Sequence, residues 1–188
     1  MCRVPLISTL RPLRHAVFVS ALLAASAAST SARADPRFHP SDVQSVFFVG
    51  KSDDRNEVHY GLHLDGDCVP VGEQPVYAYW LQVEKGNVTE DLNLLDRSVY
   101  GVKGQWVTQR SVKESKVLMT IKAAPDRPIA IVIHKRDGKC IADPIATING
   151  APARVGSVFV HIAGWLRVDW IEIRGAAGGK PVVERVKH

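Results

Sequence analysis

Residues 57–64 read EVHYGLHL, and this stretch decides the fold class. Val58, Tyr60, Leu62 and Leu64 fall on one face of an extended chain, and Glu57, His59, Gly61 and His63 fall on the other. A period of two marks a half-buried β-strand. Immediately upstream, residues 45–50 (SVFFVG) are also strand-like, and the polar run 51–56 (KSDDRN) supplies the turn between them. The two segments therefore read as a hairpin. Asp65-Gly66 follows as a tight-turn signal.

Outward from this hairpin the same pattern recurs. Residues 76–83 (VYAYWLQV) form an aromatic-rich strand, with Tyr77, Tyr79 and Leu81 on one face and Val76, Ala78 and Trp80 on the other. Further strands are expected at 105–112, 116–122, 128–136, 145–149, 153–162, 166–174 and 181–186. Leu166, Val168 and Trp170 share a face before Ile171 and Ile173 take over, which predicts a β-bulge near Trp170. Residues 175–179 (GAAGG) read as a turn, and 181–186 as an edge strand that tolerates Pro181 at its start. Only 89–96 (TEDLNLLD) reads as helix, one or two turns capped by Thr89 with Leu92 and Leu95 on one face. Roughly ten short strands with at most one short helix make an all-β protein, an antiparallel β-sandwich or partly closed barrel. Periodicity does not separate those two.

The first 34 residues read as an address. Arg3, Arg11 and Arg14 precede the apolar run 16–28, and Ala32-Arg33-Ala34 offers the small-x-small pattern of a signal peptidase site. Cleavage near Ala34 would leave a polar leader at 35–44 and a single β-rich domain at 45–188. The apolar run is shorter than the roughly 20 residues a membrane span needs, and no later segment is a candidate span. An uncleaved anchor is the alternative. The expected location is periplasmic or secreted. Four of the 24 basic residues, and none of the 19 acidic ones, lie in this leader. The remainder thus carries 20 basic and 19 acidic residues, net +1, and gives no electrostatic argument for nucleic acid.

Two cysteines remain beyond the leader, Cys68 and Cys140. An even pair in an exported chain reads as one disulfide, the alternative being two buried thiols. A crosslink between residues 72 apart stabilises by about 4 kcal/mol on chain-entropy grounds.

Candidate chemistry falls in two places. The 51–56 turn and the strand after it gather Lys51, Ser52, Asp54, Asn56, His59 and His63. Turns on rigid strands are where binding groups concentrate. His59 and His63 share a strand face but sit roughly 13 Å apart, too far for one metal ion without help from elsewhere. They read as a solvated or structural face, and no metal or cofactor is expected. Tyr77 and Tyr79 are the second candidate, able to stack on a sugar or peptide if their face is open and otherwise serving cross-strand packing. Ser52, His59 and Asp53 or Asp54 supply the letters of a nucleophilic triad, but the Gly-x-Ser-x-Gly elbow is missing. No catalytic residue is assigned. Asp65 and Asp67 are read as turn formers.

The run FFVGKSDDRNEVHYGLHLD at 47–65, then Cys68, Pro70, Gly72, Pro75 and the Tyr79-Trp80 pair, resembles a bacterial family known as domain of unknown function 4833. The closing pattern VDWIEIRG at 168–175 and GKPVVERV at 179–186 resembles the end of such a domain. The resemblance covers about residues 46–186. It implies an exported or envelope-associated domain and brings no activity, cofactor or catalytic residue. The leading expectation is a binding module for a small ligand, glycan or envelope protein, and not an enzyme. The alternatives are an envelope assembly protein acting through edge strands, or a hydrolase-like enzyme without a recognised motif.

Overall fold

The computed structural model describes residues 37–164 and 167–187. The expected leader at 1–34, its cleavage point near Ala34, and Leu166 lie outside the described residues. Among those described there are eleven strands and one short α-helix. In chain order they are β1 (Val43–Lys51), β2 (Glu57–Leu62), β3 (Val76–Gln82), β4 (Val88–Asp91), α1 (Leu94–Val99), β5 (Val102–Gln109), β6 (Ser115–Ile121), β7 (Ala124–Arg136), β8 (Lys139–Ile148), β9 (Ala151–Ala163), β10 (Arg167–Ala177) and β11 (Lys180–Lys187). The all-β expectation holds, in an open sheet that is antiparallel except for one pair.

That pair joins β1 to β9 and organises the molecule. One edge of β9 serves two partners in succession. Residues 151–154 pair antiparallel with β8, and residues 157–160 pair parallel with β1. The other edge of β9 carries β10, which carries β11. Two wings therefore leave the same edge: β1-β2-β3-β4 and β8-β7-β6-β5. Their apolar faces share one core, with Phe47, Val49, Val58, Tyr60 and Leu62 from one wing and Val117, Met119, Ile129, Ile131 and Ile133 from the other. The alternation in residues 57–64 is realised as expected, since Val58, Tyr60 and Leu62 are fully buried. Phe47 stacks on Tyr60 at 4.6 Å between centroids. The Ile129, Ile131 and Ile133 stripe is buried likewise.

The sheet does not close into a barrel, and side chains bridge its seam. Val76 at the start of β3 extends beyond β4, whose pairing covers only residues 79–82. There the amide of Gln105 on β5 accepts from the Val76 N–H at 2.7 Å and donates to the Val76 carbonyl at 3.1 Å. One glutamine thus satisfies both backbone groups that a neighbouring strand would have paired. Arg110 donates to the carbonyls of Pro70 and Gly72. The disulfide Cys68–Cys140 is formed and ties the loop after β2 to β8.

Two local expectations are refined. The bulge near Trp170 is present, as a register shift between Val168 and Trp170. The helix lies later than its sequence pattern suggested. Thr89 is in β4, paired with Leu81, and α1 starts at Leu94 with Asn93 as its cap. The Asn93 side chain accepts from the Asp96 N–H at 2.9 Å. Cross-strand pairing to β3 outweighs the weak helix preference of residues 89–91, and the next competent capping residue starts the helix.

Candidate functional site

The 51–56 turn, α1 and the end of β9 surround a cleft of about 300 Å³ lined by Lys51, Asp53, Leu95, Asp96, Tyr100, Ile162 and Gly164. A second hollow of about 190 Å³ adjoins it and shares Lys51 and Asp96, with Asp54, Asn56, Trp80 and Gln82 completing its wall. Local chemistry shapes the turn. The Asn56 N–H donates to Asp54 Oδ1 at 2.9 Å, and the Glu84 N–H donates to Asn56 Oδ1 at 3.2 Å. Lys51 Nζ meets Asp54 Oδ2 at 2.8 Å and lies 5.4 Å from the Trp80 ring centroid. Burial works to raise the Asp54 pKa, but Lys51 and the Asn56 donors outweigh it and hold this carboxyl below its ordinary value.

On the opposite wall, Asp96 accepts from the Trp80 indole N–H at 2.8 Å, which fixes α1 against β3. The helix then ends at Tyr100, whose N–H donates to the Asp96 carbonyl at 2.7 Å. A side chain at Gly101 would sit 2.4 Å from the Arg97 carbonyl oxygen, so the chain can leave the helix this closely only with glycine there. Tyr100 is 3% exposed, and its ring meets Trp80 edge to face. Its backbone carbonyl accepts from the Tyr60 hydroxyl. Its own hydroxyl is buried and has no hydrogen-bond partner among the described residues. Burial first, then the charges of Asp53, Asp96 and Asp54, push its phenol well above the ordinary tyrosine range, so it stays protonated.

A different region gathers the histidines. On the outer face of β1–β3, His59 Nδ1 meets Ser45 Oγ at 2.7 Å and His59 Nε2 meets Glu57 Oε2 at 2.9 Å. His63 Nδ1 meets Asp42 Oδ2 at 3.0 Å. The Asp42 side chain, only 1% exposed, also accepts from the backbone N–H groups of His39 and Leu64. It thereby docks the residues before β1 on the sheet. Between the two histidines lies Gly61, and the Tyr77 ring covers it. A Cβ at Gly61 would sit 2.3 Å from that ring. Tyr77 stacks on His63 at 4.2 Å, Tyr79 stacks on His59 at 5.7 Å, and Phe38 rests against both tyrosines. The Tyr79 hydroxyl donates to the Gln44 carbonyl at 3.1 Å.

A family model for DUF4833, a domain of unknown function, matches residues 47–185. The chain belongs to the DUF4833 family. No curated protein matches it, and no solved structure does. The DUF4833 match runs from Phe47 in β1 to Arg185 in β11 and takes in the cleft together with His59, His63, Tyr77 and Tyr79, starting after Phe38, Asp42 and Ser45.

Within this DUF4833 domain the eight residues singled out from sequence separate into two groups. Lys51, Asp54 and Asn56 line the cleft or its adjoining hollow. Ser52 lies beside it, donating to Asp53 Oδ1 at 3.0 Å and accepting from the Ile162 N–H at 3.5 Å. His59, His63, Tyr77 and Tyr79 belong to the outer face. The serine that meets His59 is Ser45, and both nitrogens of that imidazole are engaged. Among the described residues no three His, Cys, Asp or Glu side chains are placed to hold a metal ion. Asp65 is a turn former, its Oδ1 accepting from the N–H groups of Asp67 and Val69. Asp96, Tyr100, Leu95 and Ile162 were not singled out from sequence. The Asn93-x-x-Asp96 spacing was the available signal, a capping pattern obscured by starting the helix at Thr89.

A larger hollow of about 390 Å³ runs along β5 beside Glu73 and residues 105–110. None of its lining residues is buried. It is an open strand edge and offers no desolvated polar group to a ligand.

Proposed function

We propose that this chain is an exported β-domain that binds a small ligand in the cleft between the 51–56 turn and α1. One observation carries the binding role: Tyr100 lines the cleft, and its buried hydroxyl has no hydrogen-bond partner among the described residues. A buried hydroxyl without a hydrogen bond costs about 1–3 kcal/mol, a cost that a bound polar group would remove. A concave site with convergent polar groups and an apolar wall is the usual form of a small-molecule site.

Three features support export. The first 34 residues have the charge, apolar run and small-x-small end of a secretion signal. Cys68 and Cys140 are joined, as suits an oxidising compartment. Among the described residues no helix is long and apolar enough to cross a membrane.

The experiment is expression of the full chain in a bacterial host and native mass spectrometry of the protein recovered from the periplasm. The expected species starts at Asp35, carries one disulfide and retains a small molecule that the Tyr100→Phe variant loses. An uncut chain in the cytosol sinks the export reading. A ligand retained equally by wild type and Tyr100→Phe removes the cleft from consideration.

A further inference from the structure

The cleft carries a charge imbalance that restricts what fits it. Lys51 is its one cation among the described lining residues, and it is engaged by Asp54 at 2.8 Å. Asp53 and Asp96 remain without a cationic partner among the described residues. Asp53 Oδ1 receives the Ser52 hydroxyl and Asp96 Oδ2 receives the Trp80 indole, so each carboxylate has one oxygen engaged. Tyr100 lines the same cleft, its buried hydroxyl feels the charge of both carboxylates, and it has no hydrogen-bond partner among the described residues. Leu95 and Ile162 furnish the apolar wall, and Leu95 is 58% exposed at the rim.

An anionic ligand entering here would meet two uncompensated carboxylates as water leaves. A neutral ligand would strip water from them without replacing their counter-charge. A cation satisfies both, because charge-assisted hydrogen bonds to carboxylates are the strong ones. The Tyr100 hydroxyl has acceptor lone pairs as well as a proton, so it can take a third N–H. The carboxylates are not grouped for metal coordination. Resting on the ligand-binding reading above, we propose that the cleft selects a small organic cation, a primary ammonium on a short apolar stem, with Asp53 and Asp96 as its counter-ions and Tyr100 and Leu95 as its polar and apolar supports.

The test uses NMR titration of the processed protein with n-hexylammonium, hexanol and hexanoate, followed on the amides and methyls of Leu95, Tyr100 and Ile162. Hexylammonium is expected to shift these resonances saturably, hexanol weakly and hexanoate not at all. Asp53 is exposed, so Asp53→Asn leaves the fold intact. It and Asp96→Asn, which keeps an acceptor for Trp80, should each weaken the amine by about tenfold. Hexanol or hexanoate binding as tightly as the amine would overturn the cation assignment while leaving the cleft a ligand site. Calcium chloride moving the same resonances more strongly than the amine would overturn it too, in favour of a metal. If no probe moves them and the periplasmic protein carries no ligand, both readings fail together.

Discussion

The outer face of β1–β3 and the cleft beside α1 are both dense in polar and aromatic side chains, yet they differ in what those side chains have left to offer. On the outer face His59 has both nitrogens engaged, Asp42 accepts three donors, and the Tyr79 hydroxyl reaches a backbone carbonyl. In the cleft, among the described residues, the Tyr100 hydroxyl has no hydrogen-bond partner and neither Asp53 nor Asp96 meets a cation. In the richer region by letter count, His59, His63, Asp42 and Tyr79 are engaged with neighbouring side chains and with the backbone. Its groups hold the structure together, and the poorer region is the one proposed to bind. A buried polar group without a described partner calls for an explanation, which the density of reactive residue types alone does not.

Four substitutions would break or sharpen this contrast. Asp42→Ala should have the largest effect, since it removes a buried carboxylate that the N–H groups of His39 and Leu64 and the His63 ring all meet. A loss of about 3 kcal/mol in urea unfolding is expected, with ligand occupancy of the folded protein unchanged. If stability holds and binding disappears, the roles of the two regions are reversed. Gly61→Ala drives a methyl group into the Tyr77 ring and the Gln44 carbonyl oxygen, 2.7 Å from the added carbon. Overpacking of this kind costs about 1–3 kcal/mol, readable as a lower thermal midpoint, again without a change in the cleft.

Tyr100→Phe should behave in the opposite way. It removes an unsatisfied buried hydroxyl, so folding stability should stay level or rise by up to about 1 kcal/mol while binding falls. A marked destabilisation would show that the hydroxyl serves the fold. Asp54→Asn is expected to have the smallest effect. The folded-state pKa of Asp54 lies below its ordinary 3.8. Its contribution to stability is therefore complete above that value and is lost as pH falls through the lowered one. Acid titration of wild type against Asp54→Asn should differ only on that limb, by well under 1 kcal/mol, because the Lys51–Asp54 pair is partly exposed.

Much of the fold was legible because its determinants are local. The alternation of residues 57–64, the isoleucine stripe before Asp137-Gly138 and the phase slip at Trp170 each state a strand and its inward face. The parallel pairing of β1 with β9 was not legible, since turn chemistry betrays only hairpins between consecutive strands. The helix was misplaced because the decision at Thr89 belongs to β3, a partner that local propensity does not see. The cleft was half legible for the same reason. Lys51, Asp54 and Asn56 advertise themselves as a polar turn, whereas Asp96 and Tyr100 acquire meaning only when Trp80 docks α1.

The shared edge of β9 also sets an order of assembly. The β1–β4 wing is complete by Asp91, yet the strand that seals β1 on its far side is at residues 157–160. As the chain is made from its N-terminus, β1 must wait with one edge open while more than half of the described domain follows it. A sheet sealed by so distant a pairing closes late and slowly, and until then the open edge of β1 is the place where another chain could pair.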